Sequence, residues 1–266
     1  MRPLLTRLFT PTYIAMASSS PSSLASPSRR LAHLTRHLLL SSSSSGDLSS
    51  VGAPATDAAA AATPTRPAAP KGYAAVLVCL FEDPHGDPRV LLTKRAASLS
   101  SHSGEVSLPG GKVEEGDADV KATALREAQE EIGLDPALVS VVTVLEPFLS
   151  KNGLHVTPVI GILSDKALFK PVLNKSEVED IFDAPLEMFL KDDNRKTREM
   201  NWMGVNIPVQ FFEHQSEGKT FVIWGLTAHI LTRAAAVVLQ REPSFVEPPR
   251  PKFTSSPFSD TNEKEH

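Results

Sequence analysis

The run Ala74–Phe81 (AAVLVCLF) constrains the fold more than any other segment of this sequence. It is apolar almost without interruption, and far shorter than the roughly 20 residues that cross a bilayer. A strand with no polar alternation has no face to give to water, so this one reads as buried on both faces. The turn-forming stretch Asp83–Pro88 (DPHGDP) follows, then a second strand at Arg89–Thr93 (RVLLT), and the two read as a hairpin. Cys79, the only cysteine of the chain, lies inside the first run. It has no partner for an internal disulfide and reads as a small buried hydrophobe.

Further strands are expected at Val139–Leu145 and Thr157–Leu163, and an antiparallel pair at Val205–Phe212 and Lys219–Trp224 around a polar turn. Val178–Leu190 reads as a short helix or turn interrupted by Pro185, and Leu226–Gln240 has helical spacing. Hairpins with helices placed between them imply α/β class, with a mixed sheet sandwiched between helices (α/β/α).

This patterning is confined to residues 71–242 of 266, which suits one domain with one core. Before it, residues 1–46 contain Arg2, Arg7, Arg29, Arg30 and Arg36 but neither lysine nor acid, and serine is abundant. Arg-rich, Ser-rich and acid-poor is the composition of an organellar transit peptide. The interleaving of Arg2 and Arg7 with Leu4, Leu5, Leu8 and Phe9 favours the mitochondrion; a plastid address and a cytosolic product starting at Met16 are the alternatives. Residues 47–70 read as a low-complexity linker, and residues 243–266 as a disordered, charged, proline-containing tail. A net charge of −4 with mixed signs offers no broad basic face for nucleic acid, and no apolar run is long enough to span a membrane. Nothing in the pattern specifies an oligomeric state. His102, His155, His214 and His229 are scattered without zinc-ligand spacing.

The chemistry is concentrated between Gly110 and Gly133. A helix capped at about Asp119 and stopped by Gly133 places Val120, Ala124, Leu125, Ala128 and Ile132 on one apolar arc, interrupted by Lys121. Glu127, Glu130 and Glu131 are three and four residues apart and share one flank beside that arc. Carboxylates so close repel one another unless a cation neutralises them. Hard oxygen donors at this density suit Mg²⁺ or Mn²⁺. Taken alone, the same residues also describe an ordinary solvated acidic helix face.

The stretch GGKVEEGDADVKATALREAQEEIGL resembles the Nudix box. Gly111 is followed after five residues by an acid, Asp117, and Arg126-Glu127-Ala128-Gln129-Glu130-Glu131-Ile132-Gly133-Leu134 fills the second half of the pattern. Two departures stand out: Asp117 replaces the usual Glu, and eight residues rather than seven separate it from Arg126. They leave the role of Asp117 open and the metal cluster intact. Upstream, Leu91-Leu92-Thr93-Lys94-Arg95-Ala96, Gly104 and Leu108-Pro109-Gly110-Gly111 are similar to the signature that precedes the box in coenzyme A diphosphatases of this superfamily, and farther on Val144–Phe148, Pro158–Gly161 and Glu177–Phe182 resemble its plant members. That signature normally carries Arg where Ser100 stands and Phe where Leu108 stands.

The resemblance implies a Nudix fold and hydrolysis of the diphosphate in a nucleoside diphosphate-linked small molecule, with coenzyme A the expected substrate. It implies Mg²⁺ or Mn²⁺ held by Glu127, Glu130 and Glu131, and substrate contacts from Gly110, Gly111, Lys94 and Arg95. Arg126 is expected to orient a carboxylate, and the proton-accepting glutamate is either in the box (Glu130) or in a later loop (Glu177 or Glu179). Alternatives are a Nudix diphosphatase of ADP-ribose, NADH or oxidised nucleotides, and a noncatalytic nucleotide-sensing module on the same fold.

Overall fold

A computed structural model describes residues 72–202 and 205–247. The expected transit segment, linker and most of the tail lie outside these residues.

β1 (Gly72–Glu82) is the expected first strand, and its burial explains its composition. On one side it pairs in parallel with β7 (Leu154–Leu163) along nearly its whole length. On the other side it is shared. Its end pairs with β2 (Pro88–Arg95) only from Leu80↔Val90 to Glu82↔Pro88. Its beginning pairs with β4 (Gly110–Lys112). Thus the expected hairpin exists, but β1 and β2 splay apart beyond Val90. The segment from β3 (Val106–Ser107) through Pro109 to β4 fills the fork. β3 bonds to β2 through Thr93↔Ser107 and Lys94↔Val106, and the Leu77 amide donates to the Pro109 carbonyl at 2.8 Å. The Gly110–Gly111 pair is therefore built into the centre of the sheet.

β5 (Val139–Val144) and the short β6 (Phe148–Leu149) pair antiparallel with β7, and β8 (Val178–Pro185) pairs antiparallel with β2. With β1 and β7 parallel and the rest antiparallel, the sheet is mixed, as expected. β8 corrects the reading of Val178–Leu190 as a short helix or turn. Phe182 and Ala184 alternate inward with the period of a strand, and Pro185 ends that strand; only Leu186–Leu190 coil, as a 3₁₀ turn.

Alternate residues of β1 feed two cores. Ala75, Leu77, Cys79 and Phe81 pack under α1 (Val120–Ile132), with Ala124, Ala128 and Ile132 facing them. Ala74, Val78 and Leu80 face α2 (Gly225–Leu239) and the 3₁₀ turn, through Ala228, Leu231, Ala235 and Phe189. The result is a helix–sheet–helix sandwich, which is why both faces of β1 are apolar. Cys79 is wholly buried, and burial pushes its thiol up to about 12, so it is inert packing. Leu108, which stands where the signature carries Phe, is core on the α2 side.

A second sheet holds β9 (Arg195–Trp202), β10 (Val205–Ser216) and β11 (Lys219–Trp224) in the order β11-β10-β9. The β10–β11 pair was legible as an antiparallel hairpin, and it includes Phe211↔Trp224. β9 (RKTREMNW) was not, because a charged strand lacks the apolar alternation that marks one; such strands are common at sheet edges. The packed chain also runs past the expected boundary at 242. The Ser244 amide donates to the Leu190 carbonyl at 2.9 Å, and Arg195 lies over the Phe245 ring at 4.0 Å.

Candidate active site

α1 is built as its sequence requires. Asp119 caps it, its side chain accepting from the Lys121 and Ala122 amides at 2.9 and 2.8 Å. Gly133 ends it in the left-handed conformation at φ 70°, a geometry that costs glycine nothing. Between these ends the apolar arc seats on β1, and that seating carries one flank of glutamates against β4.

The three glutamates occupy different environments. Glu131 is only 3% exposed, and one of its carboxylate oxygens accepts from the Gly110 amide at 3.2 Å. Burial pushes its carboxyl up to about 7, against the opposing Gly110 bond and the charge of Arg95; the nearby charges of Glu127 and Glu177 push the same way as burial. The Glu127 side chain is 14% exposed and its carboxyl is also raised by burial. The Glu130 side chain, at 58%, reaches into solvent. Arg126 Nη1 lies 3.1 Å from Glu127 and 3.2 Å from Glu130, supplying the countercharge that the crowded acids need. Among the described residues, no three His, Cys, Asp or Glu side chains stand in a ready-made coordination cage.

The residues nonetheless fit a hard divalent cation. Glu127 and Glu131 are carboxylates held away from bulk water, and both stand beside backbone without side chains. A Cβ on Gly111 would come within 2.5 Å of Glu127 Oε2, so the glycine keeps open the space into which that carboxylate projects. Burying two carboxylates in this way is costly unless a cation offsets their charge.

Asp117, whose role was open, anchors the arrangement. Its oxygens accept from Arg126 Nε and Nη2, both at 3.0 Å, from Thr123 Oγ1 at 2.9 Å and from the Glu114 amide at 2.9 Å. Arg126 also donates to the Lys112 carbonyl at 3.1 Å. The Arg126 bonds hold the Asp117 carboxyl well below the usual carboxylate range. Asp117→Asn is expected to cost about 2 kcal/mol at pH 7 through the loss of charge-assisted bonds. A carboxyl with a depressed folded pKa contributes stability above its unfolded value near 4, and loses it as pH falls. Thermal melts of the two proteins should therefore differ at pH 7 and converge at acid pH; a constant difference would refute the charge argument.

The substrate-side candidates divide. Lys94 and Arg95 sit at a bulge in the β2–β8 pairing. Lys94 Nζ is paired with Glu179 at 2.8 Å, whereas the charge of Arg95 is felt at Glu131. Glu177 is likewise close enough for its charge to act on Glu131, while Glu179 is exposed and engaged by Lys94. Ser100 is exposed on the loop after β2. The structure thus brings Glu127, Glu131, Gly110, Gly111 and Arg126 together at the α1–β4 junction, with the charges of Arg95 and Glu177 acting on Glu131, while Lys94 and Glu179 pair with each other. Asn174, which bonds to Glu177, was missed by the sequence reading; the turn chemistry of Asn174-Lys175-Ser176 was the available signal.

Comparison with known proteins shows the family of the chain. A family model described as the NUDIX domain matches residues 72–224. Nudix hydrolase 15, mitochondrial, of Arabidopsis thaliana is 62% identical over 180 residues, which cover 68% of this chain and 63% of that protein. Nudix hydrolase 22, chloroplastic, of the same plant is 61% identical over 174 residues, or 65% of this chain and 58% of that protein. The Mus musculus protein named peroxisomal coenzyme A diphosphatase NUDT7 is 36% identical over 158 residues, covering 59% of this chain and 66% of its own. The chain spans less than two thirds of the length of the two plant relatives. The family match takes in the strand that opens the sheet, the box helix and the second sheet, more than half of all residues; the chain belongs to the Nudix family.

Proposed function

We propose that this chain hydrolyses the diphosphate bond of coenzyme A, with Mg²⁺ or Mn²⁺ as cofactor, to adenosine 3′,5′-bisphosphate and 4′-phosphopantetheine. The observation that carries the reading is the buried Glu131 carboxylate held on the Gly110 amide, beside Glu127 and a second glycine. Such a site would hold a divalent cation, whose two positive charges would partly offset those of the carboxylates and of a phosphate-rich substrate. When bound, the ion neutralises the diphosphate and acidifies water.

The chain's own residues divide the remaining work. Glu127, Glu130 and Glu131 hold the cation. Arg126, clamped by Asp117, sets the directions of Glu127 and Glu130. Gly110 and Gly111 let the diphosphate approach the backbone. Glu177 accepts the proton of the attacking water, because it stands near Glu131 while Glu179 is held by Lys94. One P–O bond forms to that water as the bond to the bridging oxygen breaks. Arg95 is better placed than Lys94 to meet a substrate phosphate. The choice of coenzyme A rests on the upstream signature and on the mouse relative's name.

The full chain is further proposed to carry a mitochondrial transit segment over residues 1–46 and a linker over 47–70. Support comes from the composition and from the plant relative named mitochondrial, with the chloroplastic one keeping the plastid alternative in view.

The test is a panel of coenzyme A, dephospho-coenzyme A, ADP-ribose and NADH, with Mg²⁺, Mn²⁺ or EDTA. Coenzyme A should be cleaved fastest, only with metal, and dephospho-coenzyme A more slowly. Equal or faster cleavage of ADP-ribose or NADH would sink the coenzyme A assignment but keep a hydrolase. If no substrate is cleaved in a metal-dependent way, the nucleotide-sensing reading takes its place.

A further inference from the structure

The last four carbonyls of a helix have no partner within it, so something outside must bond them. At the end of α1 these partners come from two places. The Leu134 and Gly133 amides donate to the carbonyls of Ala128 and Gln129, at 3.3 and 2.9 Å. Two of the last four, those of Glu131 and Ile132, are met by a distant strap. The Val172 amide donates to the Ile132 carbonyl at 3.0 Å, and the Asn174 amide to the Glu131 carbonyl at 2.9 Å. A segment over 40 residues downstream is thereby stitched to the backbone of the most buried site glutamate.

The Asn174 side chain then works in two directions. Its Oδ1 accepts from the Ser176 amide at 3.2 Å and from Ser176 Oγ at 2.6 Å, closing a tight local turn. Its Nδ2 donates to Glu177 Oε1 at 3.3 Å. The main chain of the turn is pinned as well: the Glu177 and Val178 amides donate to the Asn174 carbonyl at 2.9 and 2.8 Å, and the Ala96 amide donates to the Glu177 carbonyl at 2.8 Å. Glu177 is thus tied to α1 on one side and to the end of β2 on the other.

We propose that Asn174 is a positioning residue. It couples the α1 backbone at Glu131 to the Glu177 carboxylate, and so sets where that carboxylate stands relative to the reacting phosphate. The inference rests on the reading of Glu177 as the group that receives the proton of the attacking water. Asparagine meets three demands here together. Its amide nitrogen donates to a carboxylate, its oxygen accepts twice from Ser176, and its short side chain reaches both from one turn. Aspartate keeps the second function and reverses the first, because it places a like charge against Glu177.

The test compares wild type, Asn174→Asp, Asn174→Ala, Glu177→Gln and the double variant Asn174→Asp/Glu177→Gln in the full chain, on the best substrate of the panel. Asn174→Asp should melt at the wild-type temperature and keep KM within about twofold. Its kcat should fall about 10- to 100-fold, the scale expected of a misplaced reacting group. In the Glu177→Gln background it should cost nothing further, since the two residues act as one unit. Losses that multiply, or wild-type kcat in Asn174→Asp, overturn the proposal. Two further readouts do not depend on turnover. Calorimetric Mn²⁺ affinity should be unchanged by Asn174→Asp, and its crystal structure should show the Glu177 carboxylate displaced while the Asn174–Glu131 main-chain bond persists. An unmoved carboxylate rejects the inference even in an active enzyme. An inactive wild type rejects the functional reading, while the crystal structure still decides whether Asn174 positions Glu177.

Discussion

Glu131→Gln is expected to slow turnover by at least about a hundredfold and, in the same protein, to raise the melting temperature of the metal-free form at pH 8. The two effects have one cause. Glu131 is 3% exposed and makes a single neutral hydrogen bond to the Gly110 amide, so its charge is poorly solvated in the folded chain. Burial therefore pushes its carboxyl up to about 7, from the value near 4.3 of an exposed glutamate. The folded state binds the proton more tightly than the unfolded state. Stability is then greatest at pH values below the unfolded pKa, and it is lost as pH rises through the folded one. By pH 8 the loss is about 4 kcal/mol as an upper figure, before the structure relaxes around the charge.

The glutamine keeps the shape and can still accept from Gly110, but it carries no charge. Its advantage should be present at pH 8 and vanish below about pH 4.5. Mg²⁺ or Mn²⁺ should stabilise the wild type at pH 8 and the variant much less. Thermal melts from pH 4 to 9, with and without metal, check all of this. A variant less stable than wild type at pH 8 would mean that Glu131 is an ordinary satisfied core acid. A variant that turns over at the wild-type rate would remove it from the metal site.

Gly110→Ala should have the largest effect on folding. Gly110 adopts φ 153° in the fork between β1 and β2, a conformation that side chains disfavour. A Cβ there would collide with the Ala75 carbonyl and lie 2.6 Å from Val76 Cα, both backbone atoms of the central strand. Backbone cannot step aside as a side chain can, so β4 must leave β1 or the fork must open. A loss of at least about 2 kcal/mol follows from strain and overpacking together, or a fall in Tm of about 5 °C or more for a domain of this size.

Gly111→Ala next door is the instructive contrast. The three atoms nearest its Cβ would all belong to the Glu127 carboxylate, the far end of a flexible side chain. That variant should melt close to wild type yet bind Mn²⁺ more weakly and lose activity, because the carboxylate has been turned aside. If both variants unfold alike, or both fold and work, the distinction drawn between the two glycines is wrong.

The central strand, the box helix with both its caps, and the β10–β11 hairpin were legible because each is specified by local pattern. A doubly buried strand is apolar throughout, a helix carries its period and its cap residues, and a hairpin surrounds a polar turn. The grouping of Glu127, Glu130 and Glu131 was legible for the same reason, since helical geometry alone places them on one flank. β8 and β9 were not legible, because one shares its composition with a short helix and the other is a charged edge.

What tertiary structure decided was the unequal fate of like residues. Glu131 is buried and Glu130 solvated although they are neighbours; the charge of Arg95 acts on Glu131 while Lys94 pairs with Glu179. Asp117 became the clamp of Arg126, and Asn174 the link to Glu177, across separations that no local pattern encodes. Local sequence prescribes which groups lie near one another along a helix or strand. The dielectric around each group, and the partner it meets, depend on which surfaces pack together, and that is settled only when β4 enters the fork and the strap crosses the end of α1.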